Sequence, residues 1–196
     1  MRRMIKVGGS LLDWPQLGPQ LRGWLAAYPG DDNLLVAGGG PAADWVREAQ
    51  RLHGMSDQAA HWLAIRAMQL SAGVLAELLP QAIVCGDLAR LAASAPHGRI
   101  VIIDTLKVLE QEHDPLADHA LPAGWDVTSD SIAAHLASAT MAEELVLMKS
   151  ALPKASTLSA AAEEGYVDHW LPHCWRQAVR CVNLRGEGEE KMMNAE

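Results

Sequence analysis

The chain has 196 residues, 49% hydrophobic and 20% charged, which suits one α/β domain with a sizeable core and argues against wholesale disorder. The net charge of −8 argues against a general nucleic-acid-binding protein, which would carry a basic patch. No apolar run approaches the roughly 20 residues that cross a bilayer, and the three cysteines lack framework spacing. We therefore expect a cytoplasmic protein with reduced thiols and with no nucleic-acid or membrane partner.

Short apolar runs alternate with longer helical patterns along the chain. Strands are predicted at residues 4–7, 33–37, 82–85, 99–104, 144–148 and 179–184. Helices are predicted at residues 14–28, 41–52, 56–79, 87–93, 129–140 and 155–164. Because the strands are apolar on both faces, the pattern predicts an α/β fold, a three-layer α/β/α sandwich with a mainly parallel central sheet. We expect one domain at residues 1–184 and a polar, frayed tail at residues 185–196.

Two glycine-rich turns directly follow the first two predicted strands. They consist of Gly8, Gly9 and Ser10 in the first turn, and of Gly38, Gly39 and Gly40 in the second. Without side chains, backbone N–H groups can approach an anion closely, and a following helix N-terminus adds partial positive charge. Ligands bind at this edge of open α/β sheets. The pair of turns favours phosphate binding, although glycines also serve in tight structural turns.

Lys6 lies inside the first predicted strand, one residue before the Val7 that precedes the glycine turn. A buried lysine is costly unless it is paired or faces a ligand. Its ammonium could neutralise charge on a transferred phosphoryl group, or it could simply extend to solvent from an edge strand. Lys149 at the end of "ELVLMK" and Lys154 in "ALPKAS" are candidates for a second cation. Asp130 could hold two ammonium groups in place, or could be a plain helix cap.

The predicted helix from Ser56 to Leu79 is apolar or small almost all round. Such a helix is either a central core helix or a subunit interface. The mixed segment at residues 105–128 is expected to be a long functional loop, in which Trp125 and Asp126 shape an acceptor pocket. Residues 169–181 invite a zinc site, but they lack paired C-x-x-C spacing, and we expect no metal site there.

Four segments together resemble the amino acid kinase family: "MIKVGGSLL", "LLVAGGGPAADWVRE", "VTSDSIAAHLA" and "ELVLMKS". The resemblance runs in order over residues 3–184. It implies transfer of the γ-phosphoryl group of ATP, with Mg²⁺, to a small-molecule phosphate or carboxylate acceptor. Family members are usually homodimers packed through the helix after the second glycine turn, which here is the predicted helix at residues 56–79.

The resemblance also implies roles for individual residues. Lys6, Asp130 and Lys149 are then the catalytic residues. Ser129 and Lys154 join the first glycine turn in nucleotide binding. Trp125 and Asp126 join the second glycine turn at the acceptor.

The segment "MKSALPKAS" replaces the family's usual T-D-V-D-G-V-Y. This departure leaves open whether Lys149 or Lys154 is the second lysine, and how the nucleotide base is held. It also supports an alternative function, a non-catalytic nucleotide or metabolite sensor with the same fold. The short chain and its closing "GYVDHWLP" look most like a small subgroup that phosphorylates an aminomethyl-furanmethanol phosphate in methanofuran biosynthesis.

Overall fold

The computed structural model describes residues 1–93, 97–112, 121–186 and 188–196. The strands are β1 (Arg2–Val7), β2 (Asp32–Ala37), β3 (Ile83–Cys85), β4 (Ile100–Ile103), β5 (Glu144–Lys149), β6 (Val179–Asn183) and β7 (Glu189–Met193). The helices are α1 (Leu17–Ala26), α2 (Gly40–His53), α3 (Asp57–Leu78), α4 (Leu88–Ala93), α5 (Thr105–Glu112), α6 (Ser129–Ala139), α7 (Leu158–Glu163) and α8 (Leu171–Cys174). A 3₁₀ turn, Gly9–Leu11, follows β1.

One seven-stranded sheet has the order β3-β4-β2-β1-β5-β6-β7. The first six strands in chain order run parallel, and β7 runs antiparallel to β6. β1 lies at the centre of the sheet, where Lys6 is paired with Val36 of β2 and Leu147 of β5. The predicted α/β fold with a mainly parallel sheet is confirmed.

Side chains of β1 alternate between two apolar clusters, one on each face of the sheet. Met4 packs in a cluster that includes Leu136 of α6, whereas Ile5 packs in a cluster that includes Leu21 of α1. Lys6 has the same parity as Met4, so its side chain projects toward the face covered by α6. This parity places the lysine opposite the first turn of that helix.

The ends of two helices follow directly from their sequences. Pro41 lies in the first turn of α2, where its missing N–H costs no hydrogen bond. Ser56 caps α3, because its Oγ accepts a hydrogen bond from the Ala59 N–H at 3.2 Å. No helix in the described part of the chain combines the length and the apolar character that a bilayer crossing requires.

Two predictions were wrong. The frayed tail at residues 185–196 instead contains β7, which pairs with β6 and buries Met193 completely. An edge strand needs only one buried face, so its polar composition hid it. Within the expected loop at residues 105–128, residues 105–112 form α5, whose start is stabilised by Asp104 accepting from the Lys107 N–H at 3.2 Å. The part of that expected loop at residues 113–120 lies outside the described residues.

Candidate active site

The two glycine turns pack against each other backbone to backbone. A Cβ atom on Gly9 would lie 2.5 Å from the Gly40 nitrogen, and one on Gly38 would lie 2.7 Å from the Gly9 nitrogen. Real Cβ atoms do not approach backbone so closely, and Gly40 also has a φ of +56°. Any side chain at these positions would separate the two turns.

The first glycine turn also contacts the end of β5. The Gly8 N–H donates a hydrogen bond to the Met148 carbonyl at 2.8 Å, and a Cβ atom on Gly8 would lie 2.8 Å from that same oxygen. The hydroxyl oxygens of Ser10 and Ser150 are 3.3 Å apart. The carboxyl ends of β1, β2 and β5 therefore meet around two bare stretches of main chain.

Three charged side chains converge beside these turns. The Lys6 Nζ lies 2.9 Å from Asp130 Oδ1, and the Lys149 Nζ lies 2.9 Å from Asp130 Oδ2. Lys6 and Asp130 are 6% and 3% exposed, so the pair is almost fully removed from water. Asp130 therefore lies between two lysines, and the N-cap residue of α6 is Thr128.

The charge states of these groups follow from burial and pairing. Burial lowers the pKa of Lys6, and Lys149 adds to that effect, while Asp130 opposes it. Burial alone would raise the pKa of Asp130, but Lys149 and Lys6 together hold that pKa well below its ordinary value. At neutral pH, Asp130 is therefore an anion that helps to keep Lys6 protonated.

Lys149 is the lysine that the structure places in this cluster. Besides Asp130, its ammonium donates to the Tyr166 carbonyl and lies 4.6 Å from the centre of the Tyr166 ring. Lys154 is exposed, and its carbonyl accepts a hydrogen bond from Lys191 Nζ at 2.8 Å. The described contacts of Lys154 do not join it to Asp130.

A cavity of about 440 Å³ opens beside the glycine turns, between α2, α3 and the start of α6. This volume is within the usual range for small-molecule sites. Its lining is mainly small and apolar, with polar groups from both glycine turns and from the first turn of α6. The lining residues are Gly9, Ser10, Asp13, Gly39, Gly40, Pro41, Ala43, Asp44, Arg47, His61, Ala64, Ile65, Met68, Trp125, Val127, Thr128, Ser129 and Ile132.

Trp125 lines the cavity as the sequence predicted, but Asp126 does not. The Trp125 indole N–H donates to Gln50 Oε1 at 2.5 Å, and the Arg47 guanidinium lies 4.1 Å from its ring centre. Asp126 is exposed, and its carbonyl accepts from the Trp170 N–H. Asp126 is therefore an exposed residue outside the lining of the cavity.

Ser129 lies on the cavity side of α6, facing the pocket that the second glycine turn also lines. His61 lines the same cavity and contacts the Gly124 carbonyl through Nδ1 at 3.2 Å. Burial lowers the pKa of His61, which makes the neutral ring dominant near neutral pH. The start of α3 therefore faces the second glycine turn, since His61 and Gly40 line the same cavity.

Sequence reasoning missed Arg47 and Asp168. Arg47 is the one lysine or arginine that lines the cavity among the described residues, and it follows the second glycine turn by two helical turns. Asp168 accepts hydrogen bonds from Thr128 and Ser131 in the first turn of α6. A single aspartate in a short connection carries no local sequence signal.

Within the described ranges, no three His, Cys, Asp or Glu side chains come together in a way that could hold a metal ion. Cys181 is completely buried in the sheet, and the Cys174 thiol lies 3.6 Å from the Leu171 carbonyl. Burial raises the pKa of both thiols, that of Cys181 to about 11.

Comparisons with known proteins agree with this fold. Residues 1–151 match the model of the Amino acid kinase family, so the chain belongs to that family. No curated protein matches the chain by sequence.

Solved structures with a similar fold include two UMP kinases. The enzyme from Bacillus anthracis is 12% identical with a TM-score of 0.67, covering 100% of this chain and 96% of that chain. The enzyme from Ureaplasma parvum is 15% identical with a TM-score of 0.68, covering 99% of each chain. Aspartate kinase from Synechocystis is 15% identical with a TM-score of 0.53, covering 84% of this chain and 30% of that chain. At these identities the similarity concerns the fold.

Proposed function

We propose that the protein is an ATP-dependent kinase of small molecules, which transfers the γ-phosphoryl group to a phosphate or carboxylate acceptor. The observation that carries this proposal is the Lys6–Asp130–Lys149 cluster, in which Lys6 and Asp130 are buried, at the edge where the two glycine turns meet. Membership of the amino acid kinase family and the fold shared with UMP kinases support the same class of reaction.

Each part of the site has a role in this proposal. Phosphoryl transfer depends on positioning and on neutralising charge, with little covalent work for the protein. The first glycine turn holds phosphate groups of the nucleotide through main-chain N–H groups, and the second holds the acceptor. Lys6 stabilises negative charge on the transferred group, and Lys149 stabilises charge on the nucleotide side. Asp130 fixes both ammonium groups before substrates arrive.

The residues present fit the phosphate groups of ATP, because the glycine turns leave the main chain free of side chains beside the ammonium groups of Lys6 and Lys149. Mg²⁺ is proposed with the nucleotide, since this ion is usually held by substrate phosphates, a few carboxylates and water. Both oxygens of Asp130 are already paired with lysines, so phosphate oxygens and water would supply most of its ligands. The ion would reduce the negative charge of the phosphates.

The acceptor is proposed to bind in the 440 Å³ cavity. We favour a phosphate acceptor over a carboxylate, and the subgroup resemblance makes aminomethyl-furanmethanol phosphate the first compound to test. Arg47 supplies a cation in this cavity, Trp125 supplies a flat apolar surface, and Met68 and Ile65 supply apolar walls. These features suit a small ring that carries an anionic group.

The protein is also proposed to form a homodimer through α3. One face of this helix exposes Leu63, Leu70 and Val74, and the neighbouring α2 exposes Trp45 and Leu52. A row of exposed apolar side chains on two adjacent helices is typical of a surface that another subunit covers. A monomer in sedimentation velocity runs across micromolar concentrations would contradict this proposal, and Leu70→Glu is the variant expected to dissociate a dimer.

A coupled ADP-release assay tests the kinase proposal. The panel pairs phosphomonoesters, including aminomethyl-furanmethanol phosphate, with carboxylates of similar size. A diphosphate product is identified by ³¹P NMR, and an acyl phosphate is identified by trapping with hydroxylamine. Lys6→Met is expected to abolish acceptor-dependent ADP release, whereas Lys107→Met is the matched control, because Lys107 is an exposed lysine paired with Asp104.

The alternative sensor function is separated from the kinase by calorimetry with ATP. Binding of ATP together with absence of turnover on the whole panel would favour the sensor. Its structural support is the segment after Lys149, where the exposed Lys154 does not contact the catalytic cluster.

A further inference from the structure

Asp168, in the connection between α7 and α8, is a buried carboxylate that the proposed mechanism does not use. It is 9% exposed. Its Oδ2 accepts hydrogen bonds from the Thr128 N–H, the Thr128 hydroxyl and the Ser131 N–H at 2.8, 2.8 and 3.0 Å. Its Oδ1 accepts from the Ser131 hydroxyl and from the Leu171 N–H. One carboxylate therefore receives five donors, and four of them belong to the start of α6.

The start of α6 has two sides with different partners. Thr128 and Ser131 direct their hydroxyl groups to Asp168, whereas Asp130 directs its carboxylate to Lys6 and Lys149. Thr128 has no capping hydrogen bond of its own to the helix. The Asp168 carboxylate takes the place of a capping side chain, because a carboxylate at a helix N-terminus satisfies free N–H groups and interacts favourably with the helix dipole.

We propose that Asp168 is a positioning residue, which fixes the first turn of α6 so that Asp130 meets both lysines in a geometry suited to phosphoryl transfer. The inference rests on the proposed kinase function for its effect on turnover. Asparagine at position 168 would present an NH₂ group to one of the donors, so the turn would shift. A displacement of about 1 Å in a catalytic group can lower turnover by about 10²-fold.

The charge of Asp168 also acts on Lys6. The charged groups that face Lys6 are Asp130 on α6, Lys149 on β5 and Asp168 before α8. Burial lowers the pKa of Lys6, and Asp168 is one of the groups that raise it. Removing the Asp168 charge is therefore expected to lower the pKa of Lys6 further.

A lysine titration by NMR tests this inference without any acceptor. The chain has five lysines, so ¹³C-lysine labelling gives few signals, and Lys6→Met identifies that of Lys6. The titration midpoint of Lys6 is measured in the wild type, in Asp168→Asn and in Asp32→Asn. Asp32 is the matched control, because it is also a buried carboxylate that accepts several hydrogen bonds, from the Arg99 side chain and from two N–H groups. It lies at the start of β2, whereas the second glycine turn follows the end of that strand.

The expected result is a lower Lys6 midpoint in Asp168→Asn and an unchanged midpoint in Asp32→Asn. Equal midpoints in folded wild type and folded Asp168→Asn would overturn the proposal. In the ADP-release assay, Asp168→Asn should lose about 10²-fold in kcat without a rise in the acceptor KM. If no acceptor is phosphorylated by the wild type, the kinase proposal fails, while the titration still decides the role of Asp168.

If Asp168→Asn does not fold, Ser131→Ala serves as the second variant. It removes one hydroxyl donor to Asp168 and keeps the carboxylate, so the turn is loosened while the charge is retained. A lowered kcat at an unchanged acceptor KM supports the positioning role, and wild-type kinetics in the folded variant contradict it.

Discussion

Asp130→Asn is the substitution that tests the centre of the proposed site most directly. Asp130 is 3% exposed and is paired with Lys6 and Lys149 at 2.9 Å each. Without its charge, burial and the neighbouring Lys149 ammonium lower the pKa of Lys6 further, and the Lys6 ammonium loses the partner that holds it in place. Removing one preorganised electrostatic group of this kind costs about 10²–10³-fold in kcat. We expect a loss of that size in the ADP-release assay.

The same substitution should destabilise the fold in a pH-dependent manner. Breaking a buried ion pair by removing one partner costs about 3–5 kcal/mol. Because the folded-state pKa of Asp130 lies below its unfolded value, this stabilisation is present above that unfolded value and is lost as the pH falls. Urea unfolding should therefore show a large difference between wild type and Asp130→Asn at neutral pH, and a smaller one below about pH 4.

A double-mutant cycle can refute the reasoning. If Asp130 acts through Lys6, Asp130→Asn should lower kcat little further in a protein that already carries Lys6→Met. Additive losses in activation free energy would show that Asp130 acts independently of Lys6. Unchanged kcat in Asp130→Asn alone, with the fold intact, would remove Asp130 from the mechanism.

The remaining expectations concern three positions. Gly9→Ala should abolish turnover, because its Cβ atom would lie 2.5 Å from the Gly40 nitrogen, while Gly23→Ala in an open part of α1 should keep wild-type kcat. Lys154→Ala should leave kcat within about twofold, since Lys154 is exposed outside the lysine–aspartate cluster; a loss near 10²-fold would place it in the site. Burial would raise the pKa of Asp32, but hydrogen bonds lower it to about 2, so Asp32→Asn should cost about 2 kcal/mol in urea unfolding at neutral pH and little below pH 2. An equal cost at both pH values would contradict that assignment.

The sequence allowed the central strands and the glycine turns to be predicted because their signals are local. β1, β2 and β5 are short apolar runs, and a parallel sheet buried on both faces requires such runs. β7 was missed because "EEKMM" has a half-exposed edge pattern that needs β6 as a partner before it is a strand. Its role depends on a long-range pairing, which composition does not reveal.

The candidate site was predictable in its cations and glycines, but not in its supporting groups. Lys6 stood out as a charge within an apolar strand, and Asp130 stood out within a helix start. The choice between Lys149 and Lys154 required the fold, because only strand register shows which lysine ends beside α6. Asp168 gave no signal of its own in the sequence. The structure shows that the hydroxyl groups of Thr128 and Ser131 are its hydrogen-bond donors.

The balance of charge in the site explains how it can fold before a substrate is bound. Two lysines, Lys6 and Lys149, lie beside two aspartates, Asp130 and Asp168, so the group as a whole is close to neutral. A neutral cluster avoids the cost of an unpaired buried charge, but it also attracts an anionic ground state only weakly. In the proposed reaction, the lysines then contribute most where negative charge develops during transfer, as transition-state binding requires. Removing the Asp168 charge should consequently lower kcat without a rise in the acceptor KM, because the disturbed contacts are those of Lys6 and Asp130 and not those of the acceptor cavity.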